Sequence, residues 1–422
     1  MNISKFLEQA DKAENEVAEL CSGLVKYDSS HPQGYTDECV EYIKTYLDKH
    51  AIQNEVHTKD DKKPNIVAKI SGQNKSTILW LGHLDVVPEG KPENWAHPPY
   101  AGVIEDGFVY GRGSSDMKGS CAAAMVAAKM LNELDSVPNN VEYWFTADEE
   151  IGGRAGARWL AEMGRFKGDV CIIGDGNGGG WKTPSIDLGC KGGAGTKLIA
   201  RGKTAHGSTP FLGDNAITKL MKGIPWVEKI GEYKLELPPE LDEPIKSSIK
   251  FLKSSQPLTK EQEKAVERVY SYPTVACNII SGGVKTNVVP DYAEAQFDIR
   301  LTPGSNPLKV KERIMELVRE SGIEGLETQV RARETAGYYE SPDSGFASQL
   351  SATVKMITGK DPVFKILTGG TDGISTSRIA GIPSLGWGAS LPDEAHQPNE
   401  KVSIENLVLG VKIYSAFPLQ YS

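Results

Sequence analysis

Residues 77–85 read Thr77-Ile-Leu-Trp-Leu-Gly-His83-Leu-Asp85. A short apolar run is closed by a glycine, then by two side chains that ionise or bind metal. Runs of this length, bounded by glycine and polar residues, are strands. The same punctuation recurs along the chain. Asn65-Ile-Val-Ala-Lys-Ile70 is a second such run, Val141-Glu-Tyr-Trp-Phe-Thr146 leads into Asp148-Glu149-Glu150, and Asp169-Val-Cys-Ile-Ile173 ends at Gly174-Asp175. Helical segments alternate with them. Apolar positions from Phe6 to Val25 recur at helical spacing, residues 120–134 are Ala-rich, and Gly152-Gly153 precedes a helix over 155–163. Strand–helix alternation predicts an α/β domain with a mostly parallel sheet. Ligands of such sheets bind at the carboxyl ends of the strands. The acidic and histidine clusters fall there or, like Asp116 in Gly111-Arg-Gly-Ser-Ser-Asp116-Met-Lys-Gly119, on a loop ahead of a helix.

The pattern changes near Gly192. Strand-like runs at 195–200, 274–280, 293–301 and near Glu327 surround a long charged helical stretch from 214 to 270 and a helix over 308–321. This predicts a smaller α+β domain over 191–334, inserted into a discontinuous domain made of 1–190 and 335–422. The helix expected over 345–358 and the loop Thr368-Gly-Gly-Thr-Asp-Gly373 belong to the returning part. Residues 215–272 exceed what a minimal insert needs, and the sequence gives no reason for them.

Composition narrows the function. Of 422 residues, 39% are hydrophobic and 24% charged, ordinary values for a globular protein, and the net charge is −9. That acidic balance argues against a nucleic-acid or anionic-membrane partner, since both call for a basic footprint. The six cysteines are scattered with no C-x-x-C pair, as expected of reduced thiols in a cytoplasmic protein. The polar, helix-patterned start is no signal peptide, and the most apolar helical stretch, 121–131, falls short of the ~20 residues of a membrane span.

The chemistry lies in the clusters. Carboxylates and imidazoles without cysteine are a ligand set for one or two divalent metals such as zinc. His83 and Asp85, two apart at a strand end, point the same way, so Asp85 can hold the second imidazole nitrogen while His83 binds metal. Taken alone, Asp116 reads better as a helix N-cap, and Glu149-Glu150 as a solvated acidic turn. Adjacent carboxylates at a strand end can also divide labour, one binding metal and one taking a proton from water. Three of the seven histidines, His83, His206 and His396, lie in Gly- or Pro-flanked motifs. His206 sits in the inserted segment, as a surface loop residue or a donor to an oxyanion. Gly174-Asp-Gly-Asn-Gly-Gly-Gly180 lacks G-x-G-x-x-G spacing and is no dinucleotide loop. Cys121 fits helix core better than a nucleophile.

Taken together, the motifs resemble the M20 family of metallopeptidases and deacylases. They are Gly82-His83-Leu-Asp85-Val-Val-Pro88, Gly111–Gly119, Asp148-Glu149-Glu150, Gly202-Lys-Thr-Ala-His206-Gly, Asn287-Val-Val-Pro290, Gly369-Gly-Thr-Asp372 and His396-Gln-Pro-Asn-Glu400. They stand in family order over nearly the whole chain. The resemblance implies a zinc-peptidase-like catalytic domain and a ferredoxin-like lid or dimerisation domain. It implies two divalent ions, zinc with cobalt or manganese as alternatives. His83 and Asp175 would hold one, Glu150 and His396 the other, with Asp116 bridging. It further implies Glu149 as general base, Asp85 orienting His83, and His206 stabilising the oxyanion from the partner subunit of a homodimer. Asn287, Arg300, Gly370 and Thr371 would hold the substrate carboxylate. The implied substrate is an N-acyl amino acid, with small peptides as the second reading. Desuccinylase-like relatives often carry Glu where this chain has Asp175, and several dipeptidases carry Asp.

Overall fold

The computed structural model describes residues 3–255, 257–330, 336–392 and 394–422. The expected boundary at 334/335 lies outside them. Among the described residues, Thr77–His83 is a central strand of a nine-stranded sheet. The order runs Gln53–His57, Asn65–Ile70, Asn140–Thr146, Thr77–His83, Val170–Ile173, Ser384–Gly386, Ser185–Cys190 and Tyr338–Tyr339, with Val363–Leu367 pairing with Ser185–Cys190. Thr77–His83 is parallel to both neighbours, and Val170–Ile173 is parallel to Ser384–Gly386. The pairings of Asn65–Ile70 with Gln53–His57 and with Asn140–Thr146 are antiparallel.

The continuous apolar runs follow from burial on both faces. Ile78 and Trp80 join the larger core with Ile66, Ala68, Tyr143 and Phe145. The alternate residues Leu79 and Leu81 join the opposite core with Val67, Trp144, Leu160 and Ile173. Helix Gly119–Asn132 is buried along nearly its whole length. Its alanines allow close approach by helix Ile404–Gln420, where a Cβ at Gly410 would come within 3.1 Å of the Ala123 methyl. The amphipathic stretch 6–25 is two helices, Ile3–Lys12 and Glu14–Val25, broken at Ala13.

The chain forms two compact units, 1–189 with 339–367 and 371–422, and 190–338 with 368–370. The second unit holds an antiparallel sheet in the order Thr274–Gly282, Tyr292–Leu301, Thr196–Arg201, Leu326–Val330. Strand Tyr292–Leu301 alternates between buried and more exposed residues. Its inward residues Ala293, Ala295, Phe297 and Ile299 pack with Leu220 and Val227 of helix Ala216–Glu228 and with Val310, Ile314 and Leu317 of helix Pro307–Glu320. The stretch 214–270, read from sequence as one long helical segment, is three helices, Ala216–Glu228, Asp242–Ser255 and Lys260–Arg268. Prolines 238 and 239 lie in the first break. Thr259 opens the third helix with a capping box to Gln262.

Candidate metal centre

In the first unit the parallel strand ends bring the clusters to one edge. His83 closes Thr77–His83, Glu149 and Glu150 form the turn Glu149–Ile151 after Asn140–Thr146, and Asp175 follows Val170–Ile173. Asp116 arrives on the loop before helix Gly119–Asn132, and His396 on the loop before strand Lys401–Ser403. One Asp116 oxygen lies 3.2 Å from His83 Nε2, and the other 3.2 Å from His396 Nε2. His396 Nε2 is also 3.3 Å from Glu150 Oε1. Two candidate ligand groups result, His83 with Asp116 and Asp175, and Asp116 with Glu150 and His396, with one donor atom from each residue lying within 4.8 Å of the others in its group. Asp116 belongs to both.

Asp116 makes no capping hydrogen bond to the helix that follows, which removes the N-cap reading. Glu150 Oε1 is buried, which removes the solvated-turn reading. The donor set fits divalent cations: hard oxygens and imidazole nitrogens, with three candidate protein ligands per group. Electrostatics agree. Burial, with Asp372, Asp175 and Glu150 close by, drives the Glu149 carboxyl well above its ordinary range. Burial and the neighbouring Asp116 push Asp175 up to about 7. Hydrogen bonds to Asp116 and Glu150 raise His396 to about 10. A crowd of buried acids of this kind is offset by a bound cation, whose charge reverses the local balance.

Two further carboxylates shape the loops. Asp85 was expected to hold the imidazole of His83. Instead His83 Nδ1 faces the Asp85 backbone carbonyl at 2.9 Å, and the carboxylate lies 3.8 Å from that nitrogen. The carboxylate accepts the backbone N–H groups of Glu149 (3.0 Å) and Glu150 (3.1 Å) and faces His31 Nε2 at 2.8 Å. The spacing argument missed this because period-two geometry fixes a side chain's face but not its partner. Glu400 accepts from the N–H of Gly113, Ser115 and Asp116, and pairs at 2.5 Å with Arg112. It therefore clamps the backbone that presents Asp116. Burial lifts Glu400 to about 7, and the Arg112 charge works against that rise.

Asp148, with φ of 69°, adopts the left-handed conformation that starts the Glu149–Ile151 turn. Its carboxylate is anchored by Lys63 at 2.6 Å and by the Ala155 N–H at 3.2 Å, which offsets the cost of that backbone. Asp372 accepts from Thr146 Oγ1 at 3.1 Å, and burial pushes it up to about 7. Cys121 is buried and its thiol is pushed up to about 12 by burial, which leaves no thiolate nucleophile.

The remaining expected residues lie elsewhere. His206, Asn287, Arg300 and Gly370 belong to the second unit, and Thr371 to the first. His206 pairs with Val288 across a short ladder, and Gly207 N–H donates to Asn287 O at 2.7 Å, so His206 and Asn287 are backbone neighbours. The Ser208 N–H donates to His206 Nδ1 at 3.2 Å. A backbone N–H only donates, so Nδ1 accepts and the ring hydrogen sits on Nε2, the exposed donor an oxyanion needs. Arg300 Nε donates to both Asp298 oxygens at 3.0 Å. Thr371 is buried, with its Oγ1 accepting from Gly373 N–H at 3.2 Å. Sequence reasoning passed over His31 and Lys63, and it quoted Asp372 in a motif without giving it a role. His31 did carry a signal, because Pro32 and Gly34 flank it as similar residues flank His83 and His396.

Residues 79–420 match the peptidase family M20/M25/M40. A probable succinyl-diaminopimelate desuccinylase of Staphylococcus aureus (strain N315) is 30% identical over 421 residues, covering 97% of this chain and 98% of that protein. Among solved structures, the M20 family metallo-carboxypeptidase of Sulfolobus solfataricus superposes with a TM-score of 0.80 at 26% identity, covering 96% of this chain and 99% of that one. Human carnosine dipeptidase 1 shares the fold with a TM-score of 0.77 at 19% identity, over 100% and 98% of the two chains. The chain belongs to the peptidase family M20/M25/M40 and is a metal-dependent hydrolase of amide or peptide bonds.

Proposed function

We propose that this M20/M25/M40 family hydrolase is a two-metal amidohydrolase that removes the acyl group from N-acyl amino acids. The observation that carries the reading is Asp116, whose two oxygens each face a different imidazole at 3.2 Å. His83 and Asp175 would hold one ion, Glu150 and His396 the other, and Asp116 both. When bound, such ions polarise the scissile carbonyl and acidify a water. Glu149, outside both ligand groups and held in a raised range by burial, takes the proton of that water and delivers it to the leaving amine. His206 Nε2–H is the proposed donor to the oxyanion, worth about 10²–10³ in turnover by comparison with other oxyanion donors. Asn287, Arg300, Gly370 and Thr371 are the proposed contacts for the substrate carboxylate. In that role Arg300 would exchange its Asp298 contact for a bidentate bond. The proposed ion is zinc, the proposed assembly a homodimer and the proposed compartment the cytoplasm. Among the described residues, no helix is long and apolar enough to cross a membrane.

A second reading, a metallodipeptidase or carboxypeptidase, draws support from Asp175 in the place of Glu and from the solved carboxypeptidase at 26% identity. Metal-reconstituted protein assayed against N-succinyl and N-acetyl amino acids beside unblocked dipeptides and N-blocked dipeptides separates the two. Turnover confined to the acylated amino acids supports the deacylase. Turnover confined to peptides transfers the activity to the second reading. Chelation abolishes turnover under either, and persistence after chelation removes both.

A further inference from the structure

We infer that His31 is a positioning residue for hydrolysis, acting through Asp85 on the turn that carries Glu149 and Glu150. The inference rests on the roles of these two glutamates proposed above. Asp85 is fully buried and its carboxylate can only accept. Oδ1 takes the Glu149 N–H at 3.0 Å, and Oδ2 takes the Glu150 N–H at 3.1 Å. His31 Nε2 completes the set on Oδ2 at 2.8 Å, so that nitrogen carries the hydrogen. The carboxylate that fixes the backbone of the proposed base and of a proposed ligand is itself fixed by one imidazole.

The placement of His31 is built into the backbone. Ser29 Oγ donates to Leu84 O at 2.7 Å, Val86 N–H to Ser29 O at 3.2 Å and His31 N–H to Val86 O at 3.1 Å, so 29–31 lie along the segment that follows strand Thr77–His83. Gly34, with φ of +58°, covers the ring, and a Cβ there would meet His31 Cε1 at 2.4 Å. Only glycine suits both the conformation and the contact. Withdrawing the Nε2–H leaves Asp85 tethered by the two amides alone, and the turn gains freedom to move away from the geometry that Glu149 and Glu150 need. The effect is expected in kcat, because His31 is buried and reaches the proposed base and ligand only through Asp85. Its size should match that of other partners lying behind ligands, about 10–100-fold.

Two variants separate the hydrogen-bond role from the packing role. His31→Gln keeps a nitrogen donor at similar reach, and His31→Met keeps bulk without one. Each is measured for bound metal, for backbone hydrogen exchange over 147–152, and for kcat and KM. The proposal expects His31→Met to speed exchange at Glu149 and Glu150 about tenfold or more and to lower kcat about 10–100-fold with little change in KM. Exchange over Asn140–Thr146 should stay as in the parent, and His31→Gln should restore both readouts. Wild-type exchange and kcat in His31→Met overturn the proposal, as does a His31→Gln loss as deep as that of His31→Met. Should His31→Met fail to fold, His31→Gln decides alone: retained protection and kcat support the donor role, and their loss overturns it. If the unaltered protein hydrolyses none of the panel, the proposed activity fails, while the exchange comparison still judges His31.

Discussion

Glu149 and Glu150 are adjacent, yet their surroundings separate them. Glu150 reaches to within 3.3 Å of His396, whereas Glu149 stands outside both ligand groups among buried acids that keep its proton affinity high. Glu149→Ala should therefore keep the metal content of the parent and lose about 10²–10⁴ in kcat. Metal analysis beside turnover checks this, and near-parental activity would move the base elsewhere. Arg112 makes a stability prediction. Arg112→Leu strands Glu400 in a site where both partners are almost wholly buried, and removing one partner of such a pair costs about 3–5 kcal/mol. The urea midpoint should fall, and metal affinity with it, because Glu400 holds the Asp116 N–H. An unchanged midpoint would mean that Glu400 is satisfied by the backbone amides alone. At this scale the candidate ligands were legible because His83, Asp116, Glu150, Asp175 and His396 each carry their chemistry in the side chain and stand at a strand end or loop. Asp85 and Glu400 were legible only as acids in motifs. Their work is done on backbone N–H groups, which leave no trace in a residue pattern.

Elements showed themselves in sequence when one period dominated. Thr77–His83, Asn65–Ile70 and Gly345–Thr358 are strand or helix as their patterns suggest. Helix Ile404–Gln420 did not stand out because it is apolar on almost every side and lacks the stripe that marks a surface helix. Strand Gln53–His57, mostly polar and at the sheet's edge, gave no alternation. The end of the unexplained stretch before 272 is anchored from two sides, by Thr302 Oγ1 donating to Tyr270 O at 2.7 Å and by Lys191. Lys191, buried at the start of the second unit, donates to Val269 O and lies 5.1 Å from the Tyr270 ring. Burial, with a further contribution from Arg300, lowers its ammonium to about 8. The folded chain then binds fewer protons than the unfolded chain between pH 8 and the ordinary lysine range near 10.5. This group's contribution to stability therefore grows as pH rises through that window and is lost as pH falls towards 8, by up to about 1.4 kcal/mol per pH unit. Subtracting the unfolding profile of Lys191→Met from that of the parent isolates the slope. A flat difference would show that the ammonium is not penalised.

For the whole molecule, the proposed homodimer turns on what the second unit leaves uncovered. Thr274–Gly282 ends the sheet order, with Tyr292–Leu301 its ladder partner among the described residues. A register shift between Cys277 and Ile279 bends it, a common way of handling an edge. Successive side chains of a strand face opposite sides, so exposure of both Ile279 and Ile280 leaves an apolar side chain uncovered on each side of the strand there. Phe211, at 79% exposure, and Val284, at 94%, add large apolar groups to the same unit. Exposed apolar groups along an edge strand invite pairing with another chain, and single exposed apolar residues would need no explanation where a run of them does. If a second copy pairs along this edge, Ile280→Lys places a charge into that contact without touching the first unit, where the ligand groups lie. Sedimentation should then report a monomer that still carries its full complement of metal. Activity should fall with it if His206 works across the dimer, and should survive if His206 serves its own chain. A dimer of unchanged stability would move the interface off this strand, and a parent that is already monomeric would remove the dimer altogether.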